Sequence, residues 1–94
     1  MPIQSFRNEA TAAVFDGWQV RTLPPGIQGI ARRKLAMIDA AQSLRDLSIP
    51  PANRLEALKG KRAGQYSIRI NDQWRITFRW TGSGPEDVLI EDYH

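Results

Sequence analysis

The sequence predicts an α+β fold in which two N-terminal helices cover one face of a small, mostly antiparallel sheet. The last third of the chain, residues 64–94, alternates apolar and polar side chains along two long runs, which is typical of half-buried strands. Residues 27–44 instead repeat apolar side chains at spacings of three and four, which is typical of an amphipathic helix. One strand, two helices and three sequential strands give the order β-α-α-β-β-β, with both helices on one side of the sheet.

The composition bounds the class of protein. A length of 94 residues with 41% hydrophobic content suits a single domain, residues 1–94, with one modest core. No apolar run approaches the roughly 20 residues of a membrane helix, and no signal-peptide pattern is visible, so we expect a cytoplasmic protein without a membrane partner. The absence of cysteine excludes disulfides and thiol chemistry. A net charge of +3 permits a polyanionic partner without requiring one.

The first strand and the first helix are predicted from residues 2–17. Residues 2–7 form a short strand at a sheet edge. Asn8 is placed to cap the helix that follows, and Gly17 is placed to end it. The break at Pro24-Pro25-Gly26 then separates this helix from the next.

The second helix is predicted to run from Ile27 to Leu44. Its buried face repeats apolar residues at helical spacing, and these are Ile27, Ala31, Leu35 and Ile38. The basic run at residues 32–34 lies largely off that face. We interpret it as a solvated helix surface in preference to a binding site.

The register of the predicted hairpin decides which side chains share a face. A two-residue loop at Asn71-Asp72 would place Ile68 opposite Arg75, which a strand buried on one side does not tolerate. One more residue in the loop, or a bulge, pairs Ile68 with Ile76 and makes one face uniformly apolar. The opposite face, which we expect to stay open, then carries Ser67, Arg69, Arg75, Thr77 and Arg79.

The segments that lead into and out of the hairpin are less regular. Residues 48–53 are predicted as a loop, residues 54–58 are compatible with an extended stretch, and residues 60–64 form a short basic loop. The glycine-rich segment 81–85 is interpreted as a strand connection and not as a phosphate-binding loop.

Candidate catalytic groups collect at the end of the last strand. His94 is the sole histidine and follows directly on Asp92 and Tyr93. An imidazole titrates near neutral pH and transfers protons there, although a lone histidine is more often an ordinary surface residue. One histidine and scattered carboxylates do not make a transition-metal site, so we expect no metal and no cofactor.

Cleavage of RNA is a chemistry that these residues fit. The ribose 2′-hydroxyl can attack its own phosphate, so the protein need only position the nucleotide, move protons and neutralise the developing charge. Arginine suits the neutralisation through its fixed fork of donors. The alternative, that the arginines only keep one sheet face soluble, is equally compatible with the residues.

Several motifs resemble the HigB group of RelE-superfamily toxins. These are Leu58-Lys59-Gly60, Ser67-Ile68-Arg69, Trp74-Arg75-Ile76-Thr77-Phe78 and the final Asp92-Tyr93-His94, with Ile3-Gln4-Ser5-Phe6 similar to the family start. The resemblance covers nearly the whole chain and is densest from Leu55 onward.

The resemblance implies a RelE-like fold and the toxin of a bacterial type II toxin–antitoxin system. The implied activity is that of a ribosome-dependent, metal-independent mRNA endonuclease that cleaves the codon in the A site and so inhibits translation. The implied partners are the 70S ribosome, mRNA and a HigA-type helix-turn-helix antitoxin, through which alone the toxin would reach operator DNA.

The resemblance also assigns site residues. It implies that the catalytic and phosphate-contacting residues are Lys59, Arg75, Asp92, Tyr93 and His94. The basic residues around them are predicted to bind RNA, and these are Lys61, Arg62, Arg69 and Arg79. One position departs from the family pattern, because Glu56 stands where some relatives have histidine; we assign it a possible auxiliary role.

Two other functions remain compatible with the sequence. The chain can be a non-catalytic RNA- or ribosome-binding module that inhibits translation by occupancy. It can also be an inactive subunit whose basic face only docks an acidic antitoxin.

Overall fold

The computed structural model describes residues 1–92, which form three α-helices and a four-stranded antiparallel sheet. The helices are α1 (Glu9–Phe15), α2 (Pro25–Ala40) and α3 (Leu44–Ser48). The strands are β1 (Glu56–Ala57), β2 (Gln65–Arg69), β3 (Trp74–Thr81) and β4 (Gly84–Asp92), in the order β1-β2-β3-β4. Short 3-10 turns at Pro51–Asn53 and Gly60–Arg62 flank β1. The predicted α+β class is confirmed.

The helix α1 begins and ends where the sequence predicts. The Asn8 side-chain oxygen accepts a hydrogen bond from the backbone N–H of Thr11 at 2.9 Å, which satisfies one of the free donors at the helix start. Gly17 follows the helix with φ +96, a left-handed conformation that glycine adopts without steric cost.

The helix α2 is displaced towards the N-terminus relative to its prediction. It begins at Pro25, because proline is tolerated in the first turn, where its missing N–H would have no partner. It ends at Ala40 and not at Leu44. The backbone is extended at Ala41, and the Asp46 carboxylate accepts a hydrogen bond from the N–H of Gln42 at 2.9 Å, so the chain turns and restarts as α3.

The core lies between α2 and one face of the sheet. The predicted buried face of α2 is confirmed, since Ile27, Ala31, Leu35 and Ile38 are all buried. The sheet contributes Ile68 from β2, Ile76 and Phe78 from β3, and Val88 and Ile90 from β4. Apolar side chains of β2, β3 and β4 thus meet an apolar stripe on one helix.

The predicted hairpin register is confirmed. Ile68 pairs with Ile76, and the N–H of Ile70 donates to the carbonyl of Trp74 at 2.9 Å. The side-chain oxygen of Asn71 accepts hydrogen bonds from the N–H groups of Gln73 and Trp74 at 2.9 and 2.7 Å. These bonds hold the tight turn that keeps core residues opposite core residues.

The predicted first strand is only a single parallel bridge, between Phe6 and Val88. Next to it, β4 carries a bulge: Thr77 pairs with Leu89 but Arg79 pairs with Glu86, so β4 has one residue more than β3. Asp87 lies in this bulge with φ +53. The N-terminal segment follows β4 across this bulge for only a few residues, with hydrogen bonds from the N–H of Gln4 to the carbonyl of Pro85 and from the N–H of Arg7 to the carbonyl of Val88.

Lys34 corrects the interpretation of the basic run on α2. Arg32 and Arg33 are exposed as expected, but Lys34 is only 6% exposed. Its ammonium donates to the side-chain oxygen of Asn53 at 2.9 Å and to the carbonyl of Arg69 at 2.7 Å. Burial, followed by the nearby charges of Arg33 and Arg69, lowers the pKa of Lys34. Lys34 therefore joins α2 to the Pro51–Asn53 turn and to the end of β2.

We expect the Lys34→Ala substitution to destabilise the protein by roughly 2–5 kcal/mol, because it removes buried methylenes and leaves the buried side-chain oxygen of Asn53 and the partly buried carbonyl of Arg69 without their donor. Arg33→Ala, on the exposed side of the same helix, should change the free energy of unfolding by no more than about 0.5 kcal/mol. Urea denaturation of both variants measures the difference. Equal losses in the two variants would contradict the structural role of Lys34.

Candidate functional site on the polar face of the sheet

The sheet face opposite α2, called here the polar face, carries the residues predicted from the hairpin register. Register and strand alternation place on it Glu56, Ser67, Arg69, Arg75, Thr77, Arg79, Leu89 and Glu91. The expectation that this face stays open is wrong at its centre, where Ser67 is 0% and Thr77 is 1% exposed. Longer polar side chains lie across these two hydroxyls and hydrogen-bond to them.

Arg75 lies at the middle of the polar face. It is directly opposite Arg69 on β2 and directly opposite Glu91 on β4. Its Nη1 atom donates to the Ser67 hydroxyl at 3.0 Å and to the carbonyl of Arg54 at 3.3 Å. The side chain is 17% exposed, so its guanidinium is fixed in place and still reaches solvent.

Glu56 is the acidic partner of Arg75. One of its carboxylate oxygens lies 3.6 Å from Arg75 Nη1, and its side chain is 48% exposed. A pair so exposed contributes little to stability, since water competes for both charges. The residue that departs from the family pattern is therefore an anion beside the candidate phosphate-binding arginine.

A second cluster of polar side chains lies beside Arg75 and is built around Glu91. Both guanidinium nitrogens of Arg62 donate to the Glu91 carboxylate, at 2.8 and 2.7 Å, and the Thr77 hydroxyl donates to it at 2.6 Å. Arg62 also donates to the side-chain oxygen of Gln65 at 3.1 Å. The hydrogen bond from Arg62 is the largest influence on the pKa of Glu91, which is lowered although burial opposes the shift. Glu91 is thus an anion held in place.

The other arginines of the polar face also have acidic neighbours. Arg69 forms an ion pair with Asp72 in the hairpin turn. Arg79 lies 3.6 Å from the carboxylate of Asp87 in the bulge, and about half of each side chain in this pair is exposed. The face is consequently closer to electrical neutrality than its arginines alone predict.

The remaining predicted site residues lie around the edge of this face or outside the described residues. Lys59 and Lys61 are exposed in and beside the Gly60–Arg62 turn. Asp92 pairs with Trp74, which by strand alternation puts it on the opposite side of the sheet from Arg75, and it accepts a hydrogen bond from the Gln73 amide at 2.8 Å. Tyr93 and His94 lie outside the described residues.

Glu91 is a polar-face residue to which the sequence analysis assigned no role. Alternation along the last strand places it on the side opposite to Asp92, and the register of β4 places it beside Arg75. The sequence shows only that Glu91 and Asp92 lie on opposite sides of the last strand. Which of the two shares a face with Arg75 follows only once the register between β3 and β4 is known.

Neither a metal-binding cluster nor a membrane-spanning helix occurs in the part of the chain that the structure describes. Across residues 1–92, no three or more histidine, cysteine, aspartate or glutamate side chains are grouped so that they could hold a metal ion. None of the helices described is both long and apolar enough to cross a membrane.

The comparison with family models decides the class of protein. The model for RelE-like toxins of type II toxin–antitoxin systems, HigB, matches residues 4–94. The chain belongs to the HigB-like toxin family. This membership confirms the resemblance found in the sequence and places the chain in the toxin half of a toxin–antitoxin system.

Individual relatives of this HigB-like chain agree with the family. Toxin HigB-1 of Vibrio cholerae is 48% identical over 60 residues, which is 64% of this chain and 63% of that protein. Endoribonuclease HigB of Proteus vulgaris is 29% identical over 92 residues, which is 98% of this chain and 99% of that protein. The predicted classes of toxin and endoribonuclease agree with these two relatives.

A solved structure supports the fold alone. The YoeB/ParE toxin from Agrobacterium tumefaciens superposes with a TM-score of 0.57 at 19% identity, with full coverage of both chains. This likeness supports the predicted α+β fold.

The lowered pKa of Glu91 predicts how stability depends on pH. A carboxyl whose pKa is depressed by folding stabilises the protein above its unfolded pKa, near 4.3, and loses that contribution as the pH falls through the folded value. We therefore expect Glu91→Gln to be less stable than wild type at pH 7. The difference should shrink steadily below about pH 4.

Urea denaturation of both proteins between pH 7 and pH 2.5 tests this expectation. Glu86→Gln, also on β4, is the control, because the Glu86 carboxylate accepts a hydrogen bond from the Thr81 hydroxyl at 3.2 Å, whereas that of Glu91 is held by an arginine. A difference for Glu91→Gln that is independent of pH would contradict the argument.

Proposed function

We propose that this HigB-like chain is a ribosome-dependent endoribonuclease that cleaves mRNA in the ribosomal A site without a metal ion. The observation that carries the proposal is the direct pairing of Arg75 with Arg69 across two strands, with Lys59 and Lys61 exposed at the turn that precedes β2. Two like charges opposite each other are unfavourable unless an anion lies between or beside them. A phosphate of RNA is such an anion.

The reaction needs no group beyond the RNA and the protein. The ribose 2′-oxygen attacks the adjacent phosphorus and loses its proton to a base, while the 5′-oxygen leaves and takes a proton from an acid. The products are a 2′,3′-cyclic phosphate and a 5′-hydroxyl end. Arginine is suited to hold the charge that builds on the non-bridging oxygens, because its donors are fixed in a planar fork and its charge is permanent.

We assign the roles in this reaction as follows. Arg75 and Lys59 bind the scissile phosphate, and Arg69, Arg79 and Lys61 provide positive charge for the flanking RNA. His94 transfers protons, assisted by Tyr93 and Asp92, and the exposed carboxylate of Glu56 is an auxiliary base.

Binding of RNA requires an exchange of anions on the polar face. Glu56, Asp72 and Asp87 hold their arginines through exposed pairs, which are individually weak. A phosphate carries its charge on several oxygens and accepts two parallel hydrogen bonds from a guanidinium. It can therefore replace these carboxylates without disturbing the core.

The proposed partners follow from the same assignment. The toxin acts on mRNA bound to the 70S ribosome in the cytoplasm. Its antitoxin is of the HigA type, with a helix-turn-helix domain through which the complex reaches operator DNA.

The cleavage test is primer extension on mRNA in a translating extract. Wild-type toxin should produce new 5′ ends within the A-site codon, also in the presence of a chelator selective for transition metals. Inhibited translation with intact mRNA would instead support a module that acts by occupancy, and loss of cleavage that zinc restores would contradict the metal-independent mechanism.

Arg75→Ala should lower the cleavage rate by on the order of 10²–10³, which is typical of losing one electrostatic contact to the transition state. The protein should still fold, because Arg75 lies off the core face, with a loss of stability of about 1–3 kcal/mol from the buried Ser67 hydroxyl that loses its donor. Ile76→Ala, on the adjacent buried position, should instead destabilise by roughly 2–5 kcal/mol. The opposite outcome, an unfolded Arg75→Ala and a harmless Ile76→Ala, would mean that the two faces are exchanged.

His94→Gln should lower the cleavage rate by about 10²–10⁴, because it removes the only imidazole of the chain and keeps a hydrogen-bonding amide. Thermal stability and antitoxin binding should stay close to those of wild type. Single-turnover cleavage with pre-bound ribosomes measures the rate. A wild-type rate would assign the proton transfers to Tyr93, Glu56 or the ribosome.

A further inference from the structure

Arg62 and Glu91 connect two segments that are distant in sequence. The two residues are separated by 29 positions, and both guanidinium nitrogens of Arg62 donate to the two carboxylate oxygens of Glu91. Parallel bonds of this kind fix orientation as well as distance, because the planar fork matches the planar carboxylate.

The surroundings make this pair firmer than the others on the polar face. The Glu91 side chain is 19% exposed, compared with 48% for Glu56 and 98% for Asp72. The Thr77 hydroxyl and the Gln65 side chain add further hydrogen bonds to the pair, and both of these residues are buried. Partial burial strengthens such a network and reduces its screening by salt.

Each partner belongs to a segment that carries predicted catalytic residues. Arg62 ends the 3-10 turn that follows Lys59, and its N–H donates to the carbonyl of Lys59 at 3.2 Å. The base of this loop is closed by the N–H of Leu58, which donates to the carbonyl of Gln65 at 2.9 Å. Glu91 lies on β4 directly before Asp92 and directly opposite Arg75.

We propose that the Arg62–Glu91 pair is a positioning element that fixes the loop bearing Lys59 relative to Arg75 and to the end of β4. This inference depends on the proposed endoribonuclease function for its effect on cleavage. It also changes the role of Arg62, which the sequence analysis assigned to RNA. Arg62 acts through Glu91, and neither residue needs to contact the substrate.

The two roles for Arg62 predict opposite results for Glu91→Gln. If Arg62 binds RNA, removing its carboxylate partner frees a guanidinium for phosphate, and RNA binding is unchanged or tighter. If the pair positions the site, the same substitution loosens the loop that bears Lys59 and slows the chemical step. A displacement of about 1 Å in a catalytic group can cost roughly 10²-fold in rate.

The first measurement is amide hydrogen exchange of the free toxin, which does not depend on activity. Glu91→Gln should accelerate exchange in residues 59–64 by roughly tenfold, the effect of losing one charge-assisted pair on local opening. Glu86→Gln, at another partly buried position on β4, should leave exchange in residues 59–64 unchanged.

The second measurement is cleavage at saturating and at limiting ribosome concentration. Glu91→Gln should lower kcat by roughly 10-fold to 100-fold with little change in KM. Arg62→Lys keeps the positive charge but loses the planar fork of donors, and it should lower kcat by nearly as much. The exchanged pair, Arg62→Glu with Glu91→Arg, should recover most of kcat, because it restores the connection while removing the cation from the loop.

The outcomes separate this inference from the proposed function. No cleavage by wild-type toxin overturns the proposed function and the catalytic part of the inference, while hydrogen exchange still decides whether the pair fixes the loop. If the wild-type toxin cleaves mRNA and Glu91→Gln has a normal kcat, the positioning role is overturned. If Arg62→Lys instead raises KM at normal kcat, and the exchanged pair does not recover the lost activity, Arg62 binds RNA and the positioning role is wrong. Should the exchanged pair fail to fold in a thermal melt, Arg62→Lys and Glu91→Gln alone decide between the two roles.

Discussion

The register of β2 against β3 is the constraint on which both the core and the polar face depend. Side chains alternate along a strand, so a slip of one residue would carry Arg75 into the core and expose Ile76. The turn at Asn71 prevents that slip, because its side-chain oxygen accepts hydrogen bonds from two backbone N–H groups that follow it. The same turn therefore determines that Ile68 meets Ile76 beneath α2 and that Arg69 meets Arg75 on the other face.

Local rules predict those parts of the fold that local interactions determine. The apolar repeat of α2, the Asn8 cap and the hairpin register each follow from neighbouring residues, and the structure confirms them. The prediction that Lys34 is exposed was wrong. Its two acceptors, Asn53 and the carbonyl of Arg69, come from segments distant in sequence, which a local pattern does not reveal. A periodic pattern predicts the side of the helix on which a side chain lies, but it does not show which loop will pack against that side.

The same limit applies to the candidate site. The sequence places Arg69, Arg75 and Arg79 on one face, and the strands confirm that placement. The sequence does not show that the centre of this face is covered. Arg62 and Glu91 lie across it, and they meet only when the loop before β2 packs against the end of β4. The bulge at Asp87 is likewise absent from the pattern, and it is this bulge that brings a carboxylate to Arg79.

The acidic residues explain how a fold can hold a cationic site before any ligand arrives. Arg69 and Arg75 are directly opposite each other, an arrangement that repulsion makes unfavourable in isolation. Asp72 offsets the charge of Arg69, and Glu56 offsets that of Arg75. The Asp72 side chain is 98% exposed and the Glu56 side chain 48%, so both carboxylates are easy to displace.

Glu91 differs from these residues because its carboxylate is enclosed by Arg62 and Thr77. A phosphate that displaced it would have to break charge-assisted bonds within a partly buried network, and the freed carboxylate would find few replacements there. Under the proposed function, incoming RNA would therefore meet two kinds of acid on one face. The exposed carboxylates would yield their arginines to phosphate, whereas Glu91 would keep Arg62 and with it the position of the loop that carries Lys59.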